Sequence, residues 1–121
     1  MKKILLVEDT AEVLEILSDL LRMEGYHIQG AINGIDALNQ LALFFSDLII
    51  TDLRMPIMDG FALLEELKKT KELATIPVLV FSANATPEIE EKSLKLGAAG
   101  FLKKPINTDI LIETVKTILE V

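Results

Sequence analysis

The sequence predicts an α/β domain, in which a doubly wound, five-stranded parallel sheet is covered by five helices. Short apolar segments of strand length alternate along the chain with longer segments in which leucine and isoleucine recur at helical spacing. Two of the short segments, Ile4–Val7 and Leu48–Ile50, are continuously apolar, as in strands buried on both faces of a sheet. With 121 residues and no repeat or linker, residues 1–121 are expected to form a single domain.

The predicted strands end where polar or turn-forming residues interrupt the apolar segments. The second segment contains His27, Gln29 and Gly30 and alternates only loosely, which is typical of an edge strand. Pro77 stands near the start of the fourth segment, where its missing N–H is least harmful. The predicted strands cover residues 2–7, 26–31, 47–52, 76–82 and 99–103.

Capping residues mark the ends of the predicted helices. Gly25 and Gly97 close the first and fourth helices, because glycine readily adopts the left-handed conformation found there. Thr86 is followed by Pro87 and acidic residues, all of which favour a helix start. The residues expected to cap the five N-termini are Thr10, Asn33, Asp59, Thr86 and Asn107.

The composition restricts the classes of partner. The net charge of −7 argues against nucleic acid or an anionic membrane as a direct partner, since both are polyanions. The absence of cysteine excludes disulfides and thiolate metal sites. No apolar segment reaches the length of a membrane span, and the N-terminus lacks the features of a signal peptide. A cytoplasmic domain without membrane insertion is therefore expected.

Polar side chains stand at the C-terminal ends of four of the predicted strands: Glu8 and Asp9, Asp52, Ser82, and Lys104. Because parallel strands end at one edge of the sheet, these side chains are expected to share one crevice. Three carboxylates at close range repel one another unless a cation is present, and Mg²⁺ prefers oxygen ligands. The pattern predicts a Mg²⁺ site beside an aspartate nucleophile, with the serine hydroxyl and the lysine ammonium suited to phosphoryl oxygens.

This ordered set of motifs resembles the receiver domain of two-component response regulators. The motifs are Glu8-Asp9, Asp52 with Met55-Pro56 and Asp59-Gly60, Ser82-Ala83, and Lys104-Pro105. The resemblance implies a flavodoxin-like sheet with strand order 2-1-3-4-5. It also implies a signalling switch, not a metabolic enzyme, that catalyses only its own phosphorylation and dephosphorylation. The phosphodonor would be a sensor histidine kinase or a histidine phosphotransfer protein.

The resemblance also implies a role for each site residue. Asp52 would be the phosphoacceptor, and Asp9, Asp52 and the backbone carbonyl of Arg54 would bind Mg²⁺. Glu8 would act on the ion through water. Ser82 would follow the phosphoryl group, Lys104 would pair with it, and Phe101 would be the aromatic switch residue. The bond between Lys104 and Pro105 would be cis.

Several residues differ from the commonest family pattern. Glu8 replaces an aspartate, Ser82 a threonine and Phe101 a tyrosine, so the aromatic switch would rely on packing alone. We expect Arg54 and Asn84, each two residues beyond a site residue, to influence the lifetime of the phosphoryl group.

Three other functions are alternatives to this one. An aspartate-based phosphatase would need a second aspartate where Arg54 stands, and a flavin-binding domain would not place Glu8-Asp9 beside a phosphate. A phosphorylation-independent binding module is the third. The output is expected to be a protein–protein contact, made by the chain alone or as part of a longer regulator.

Overall fold

Five parallel strands form one sheet in the order β2-β1-β3-β4-β5 in the computed structural model, which describes residues 1–120. The strands are β1 (Lys3–Val7), β2 (His27–Ala31), β3 (Leu48–Asp52), β4 (Val78–Ser82) and β5 (Gly100–Lys103). The helices are α1 (Ala11–Met23), α2 (Gly34–Leu41), α3 (Gly60–Lys69), α4 (Pro87–Lys95) and α5 (Thr108–Leu119). The predicted fold class and strand order are thus confirmed.

The three central strands are the most deeply buried part of the chain. Every residue of β3 and β4 is buried, whereas β2 and β5 lie at the two edges and are more exposed. The expectation that β2 is an edge strand is confirmed. Burial on both faces explains why the central strands are continuously apolar.

The sheet separates two hydrophobic layers because side chains alternate along each strand. On β1, Leu5 and Val7 pack in one layer, while Ile4 and Leu6 pack in the other. The first layer includes buried residues of α2 and α3, with side chains of α4 packed against it. The second layer includes residues of α1 and α5. Among residues 1–120, no helix combines the length and the apolar character needed to cross a membrane.

Four of the five predicted N-caps are confirmed. In each, the capping side chain accepts a hydrogen bond from the backbone N–H three residues later; these caps are Asn33, Asp59, Thr86 and Asn107. Thr10 is an exception, because it occupies the N-cap position of α1 without a side-chain capping bond. Its own N–H donates to Oε2 of Glu8 at 3.0 Å, which ties the start of α1 to the end of β1.

The strands begin slightly later than predicted. Lys2, Tyr26, Asp47 and Ala99 each lie just before a strand, as do residues 76 and 77 before β4. The helix ends agree with the prediction, since Gly25 follows the last turn of α1 with φ of 94°. The same holds at the end of α4, where the corresponding glycine has φ of 103°.

Gly60, at the start of α3, is the position where a side chain is least tolerated. A Cβ atom there would lie 2.6 Å from the carbonyl oxygen of Asp52 and 2.8 Å from Cα of Leu53, both of which are backbone atoms. We expect Gly60→Ala to lower the free energy of unfolding by about 3 kcal/mol, because the loop after β3 must move. Gly25→Ala, which meets no atom within 4 Å, should cost only about 1 kcal/mol for its left-handed φ. Urea titration of both variants tests this, and equal losses would contradict it.

Candidate functional site

The carboxyl edge of the sheet collects the charged and hydroxyl side chains expected there. Glu8 and Asp9 follow β1, Asp52 and Ser82 end β3 and β4, and Lys104 follows β5. Since β1, β3, β4 and β5 are consecutive in the sheet, their ends form one continuous edge. The predicted convergence of these residues on one edge is what the structure shows.

A single ammonium links two of the carboxylates. Nζ of Lys104 lies 2.9 Å from Oδ2 of Asp52 and 3.1 Å from Oε1 of Glu8. Glu8 has 0% of its surface exposed, and Asp52 is also buried. The Lys104 side chain retains 24% exposure. A buried carboxylate is stabilised when it is paired and hydrogen-bonded, and Lys104 provides both interactions at once.

Burial and hydrogen bonding together raise the pKa values of both Glu8 and Lys104. Burial raises the pKa of Glu8, and a hydrogen bond with Asp9 raises it further, although the Thr10 N–H and Lys104 act in the opposite direction. Burial alone would lower the pKa of Lys104, but the hydrogen bonds to Asp52 and Glu8 outweigh it and the pKa is raised. Lys104 is therefore held firmly in its charged form, while the charge on Glu8 is costly.

The carboxylates of Glu8, Asp9 and Asp52 form a cluster suited to a hard cation. One oxygen from each lies within 4.8 Å of the others, and Asp9 is exposed while the other two are buried. Octahedral Mg²⁺ binds oxygen at about 2.0–2.1 Å and keeps several waters, so a few carboxylates on one open edge match its requirements. The donor set thus fits a Mg²⁺ ion, and an open cleft of about 490 Å³ adjoins it, lined by Asp9, Leu53, Arg54, Met55, Pro56 and Asp59.

The loop between β3 and α3 is strained beside this cluster. Ile57 has φ of 72°, and the N–H of Met58 donates to the carbonyl oxygen of Pro56 at 2.8 Å, which defines a γ-turn. A left-handed φ is costly for a β-branched residue. The loop then closes on the residue that follows β3, because the N–H of Gly60 donates to the carbonyl oxygen of Leu53 at 2.9 Å.

The hydroxyl of Ser82 is buried and already accepts one hydrogen bond. The N–H of Asn84 donates to Oγ of Ser82 at 3.1 Å, which leaves the hydroxyl hydrogen free to donate elsewhere. Phe101 is half-buried and packs against the first hydrophobic layer. The bond between Lys104 and Pro105 is cis, as the resemblance implies.

Arg54 touches the site through its backbone. Its N–H donates to Oδ1 of Asp52 at 3.4 Å, and its side chain is exposed. The structure also shows two contacts that were not predicted from the sequence. One is the Thr10 N–H bonded to Glu8, and the other is the ring of Phe81, whose centroid is 4.9 Å from Nζ of Lys104. The only sequence signal for the second is an aromatic residue immediately before Ser82.

Comparison with known proteins assigns the chain to a family. The family model described as the response regulator receiver domain matches residues 4–116. The chain belongs to this family. Receiver domains are signalling switches, so membership decides against the phosphatase and flavin-binding alternatives.

Individual relatives agree with this assignment. The receiver domain of a signal transduction histidine kinase from Syntrophus aciditrophicus is 38% identical, with a TM-score of 0.92 and coverage of 99% of this chain and 91% of that one. The chemotaxis protein CheY4 of Vibrio cholerae is 30% identical, with a TM-score of 0.93 and coverage of 98% and 99%. The CpxR homologue of Haemophilus influenzae, a transcriptional regulatory protein, is 37% identical over 98% of this receiver domain.

The curated relatives are longer than this receiver domain. The chain covers 51% of the length of the CpxR homologue and 56% of that of a probable transcriptional regulator from Porphyra purpurea. The similarity is therefore to the receiver module of those longer proteins.

We expect Lys104→Met to lower the free energy of unfolding by about 2 kcal/mol at pH 7, because two buried carboxylates lose their shared cation. Since the pKa of Lys104 in the folded chain exceeds its ordinary value of 10.5, its stabilising effect is complete below that pH. The effect is lost as the pH rises through the elevated pKa. The stability difference between wild type and variant should therefore shrink in strongly alkaline solution.

Urea titrations between pH 7 and pH 11 measure this difference. Lys103→Met is the matched control, because Lys103 is the exposed preceding residue, and it should change stability by no more than about 0.5 kcal/mol. Equal effects of the two substitutions would show that Lys104 does not stabilise the buried carboxylates.

Proposed function

We propose that Asp52 accepts a phosphoryl group from a phosphohistidine and that the resulting charge changes the partner-binding face of this receiver domain. The observation that carries the proposal is the position of the Asp52 carboxylate. It lies at the open edge of the sheet, 2.9 Å from the ammonium of Lys104 and clustered with Glu8 and Asp9. A nucleophilic carboxylate, a cation and a divalent-metal site are the components that phosphoryl transfer requires.

The proposed phosphoryl transfer forms one bond and breaks one bond. A carboxylate oxygen of Asp52 forms the new P–O bond, while the P–N bond to the donor's imidazole breaks and its electron pair stays on the imidazole nitrogen. In our proposal Asp9, Asp52 and the backbone carbonyl of Arg54 would hold Mg²⁺, and Glu8 would act on the ion through water. The ion, when bound, offsets the negative charge that develops on the phosphoryl oxygens.

Three residues respond to the new group in this proposal. Lys104 pairs with a phosphoryl oxygen, and its firmly held charge suits it to this role. Ser82 donates its free hydroxyl hydrogen to another oxygen. Phe101 packs differently after the hydroxyl moves, which shifts the population of the face formed by α4, β5 and α5. The downstream target would bind this face.

We also propose a phosphodonor, an output and a cellular location for this domain. The phosphodonor is a sensor histidine kinase or a histidine phosphotransfer protein, and the output is a protein–protein contact in the cytoplasm, without direct nucleic-acid binding or membrane insertion. We further propose that residues 1–121 act as one receiver domain, either alone or as part of a longer regulator. Its catalysis is confined to its own phosphorylation and dephosphorylation.

The phosphoacceptor is tested with Mg²⁺ and beryllofluoride or acetyl phosphate, followed by amide NMR. Relative to the protein with Mg²⁺ alone, wild type should show shifts around Asp52, Ser82 and Lys104, and Asp52→Asn should show none, because an amide offers no anionic oxygen to bond phosphorus or beryllium. Asp47→Asn is the matched control, since Asp47 lies just before the opposite end of the same strand, and it should respond as wild type does. A response that persists in Asp52→Asn would contradict the assignment.

The lifetime of the phosphoryl group is expected to depend on Arg54 and Asn84. Both side chains are exposed, and both backbone N–H groups bond to site residues, Asp52 and Ser82 respectively. Arg54→Ala and Asn84→Ala should each change the rate of dephosphorylation severalfold, because in our proposal both side chains flank the route of the attacking water. Loss of radiolabel after removal of the donor measures this rate. Two unchanged rates would show that these residues do not tune the lifetime.

A further inference from the structure

The ring of Phe81 lies under the ammonium on which the site depends. Phe81 is completely buried in the second hydrophobic layer. Nζ of Lys104 is 4.9 Å from its ring centroid. This is within the distance of about 6 Å at which an ammonium is attracted to the negative face of an aromatic ring.

The sheet register explains why these two groups meet. Phe81 on β4 is the register partner of Asp52 on β3, and Leu102 on β5 is the register partner of Phe81. Partners in a parallel sheet project from the same face, and Lys104 stands two residues beyond Leu102. Lys104 must therefore cross β4 to reach Asp52, and the side chain of β4 at that crossing is Phe81.

The contacts of the ammonium are divided between hydrogen bonds and the ring. The carboxylates of Glu8 and Asp52 accept its hydrogen bonds, at 3.1 and 2.9 Å. An aliphatic side chain in place of Phe81 would be equally apolar but would offer no electrostatic attraction to the cation. The ring therefore favours one position of the ammonium without competing for its hydrogen-bond donors.

We propose that Phe81 is a positioning residue, whose ring holds the Lys104 ammonium where it meets an oxygen of the group bound at Asp52. This inference rests on the proposed function, in which Lys104 pairs with the phosphoryl group. Phe81 itself does not touch that group. Its effect is exerted through the place and mobility of the Lys104 ammonium.

The first experiment examines the free protein. The ε-methylene protons of Lys104 should resonate upfield of those of the other lysines, because they experience the ring current of Phe81. Phe81→Leu should abolish the upfield shift. Leu79→Val, a core substitution two residues earlier on the same strand and in the same layer, should preserve it. An ordinary Lys104 shift in wild type would overturn the proposal.

The second experiment measures binding of beryllofluoride in the presence of Mg²⁺. Phe81→Leu should weaken binding by about two- to fivefold, as expected for the loss of one partly exposed cation–π contact. Leu79→Val should bind as wild type does. Equal affinities for wild type and Phe81→Leu would overturn the positioning role. Failure of wild type to bind would instead contradict the proposed function, and the ring-current shift would still test the contact.

Fluorinated phenylalanines at position 81 separate the charge distribution of the ring from its shape. Mono-, di- and trifluorination progressively weakens the negative ring face and barely alters the volume. The affinity for beryllofluoride should fall stepwise along this series, while the free energy of unfolding changes little. An affinity that stays constant across the series would show that Phe81 acts only by filling space.

Discussion

The carboxyl edge of the sheet depends on one ammonium that is shared by two buried carboxylates. Without Lys104, Glu8 and Asp52 would be desolvated charges of the same sign at close range, and this arrangement would lower the free energy of unfolding. The ammonium reaches them because the strand order places β5 across β4 from β3. The topology and the charge pattern therefore form a single constraint.

Much of this arrangement follows from local patterns in the sequence. Helical and strand periodicities indicate the alternating elements, and parallel strands necessarily end at one edge, so the meeting of Glu8, Asp52 and Lys104 could be foreseen. The absence of a side-chain capping bond at Thr10 and the bond from its N–H to the buried Glu8 are both tertiary details that the local pattern does not specify. The contact with Phe81 likewise depends on the register of three strands, which hydrophobic patterns do not specify.

The site also concentrates features that reduce stability. Ile57 adopts a left-handed conformation, and Gly60 approaches the backbone of β3 too closely for any side chain. Glu8 bears a charge that burial makes costly. Such features persist where the surrounding structure determines them strongly, and here the buried central strands supply that support. Stability elsewhere in the fold thus maintains a strained and highly charged edge.

The hydrogen bond from Asn84 to Ser82 gives the edge a mechanical property. Rotation of the Ser82 side chain moves the oxygen that accepts this bond, and so changes a contact of the peptide unit between residues 83 and 84. That peptide precedes Thr86, whose hydroxyl caps α4. The position of a single oxygen atom is therefore linked to the backbone that leads into α4. The capping residue of that helix lies only four residues beyond Ser82.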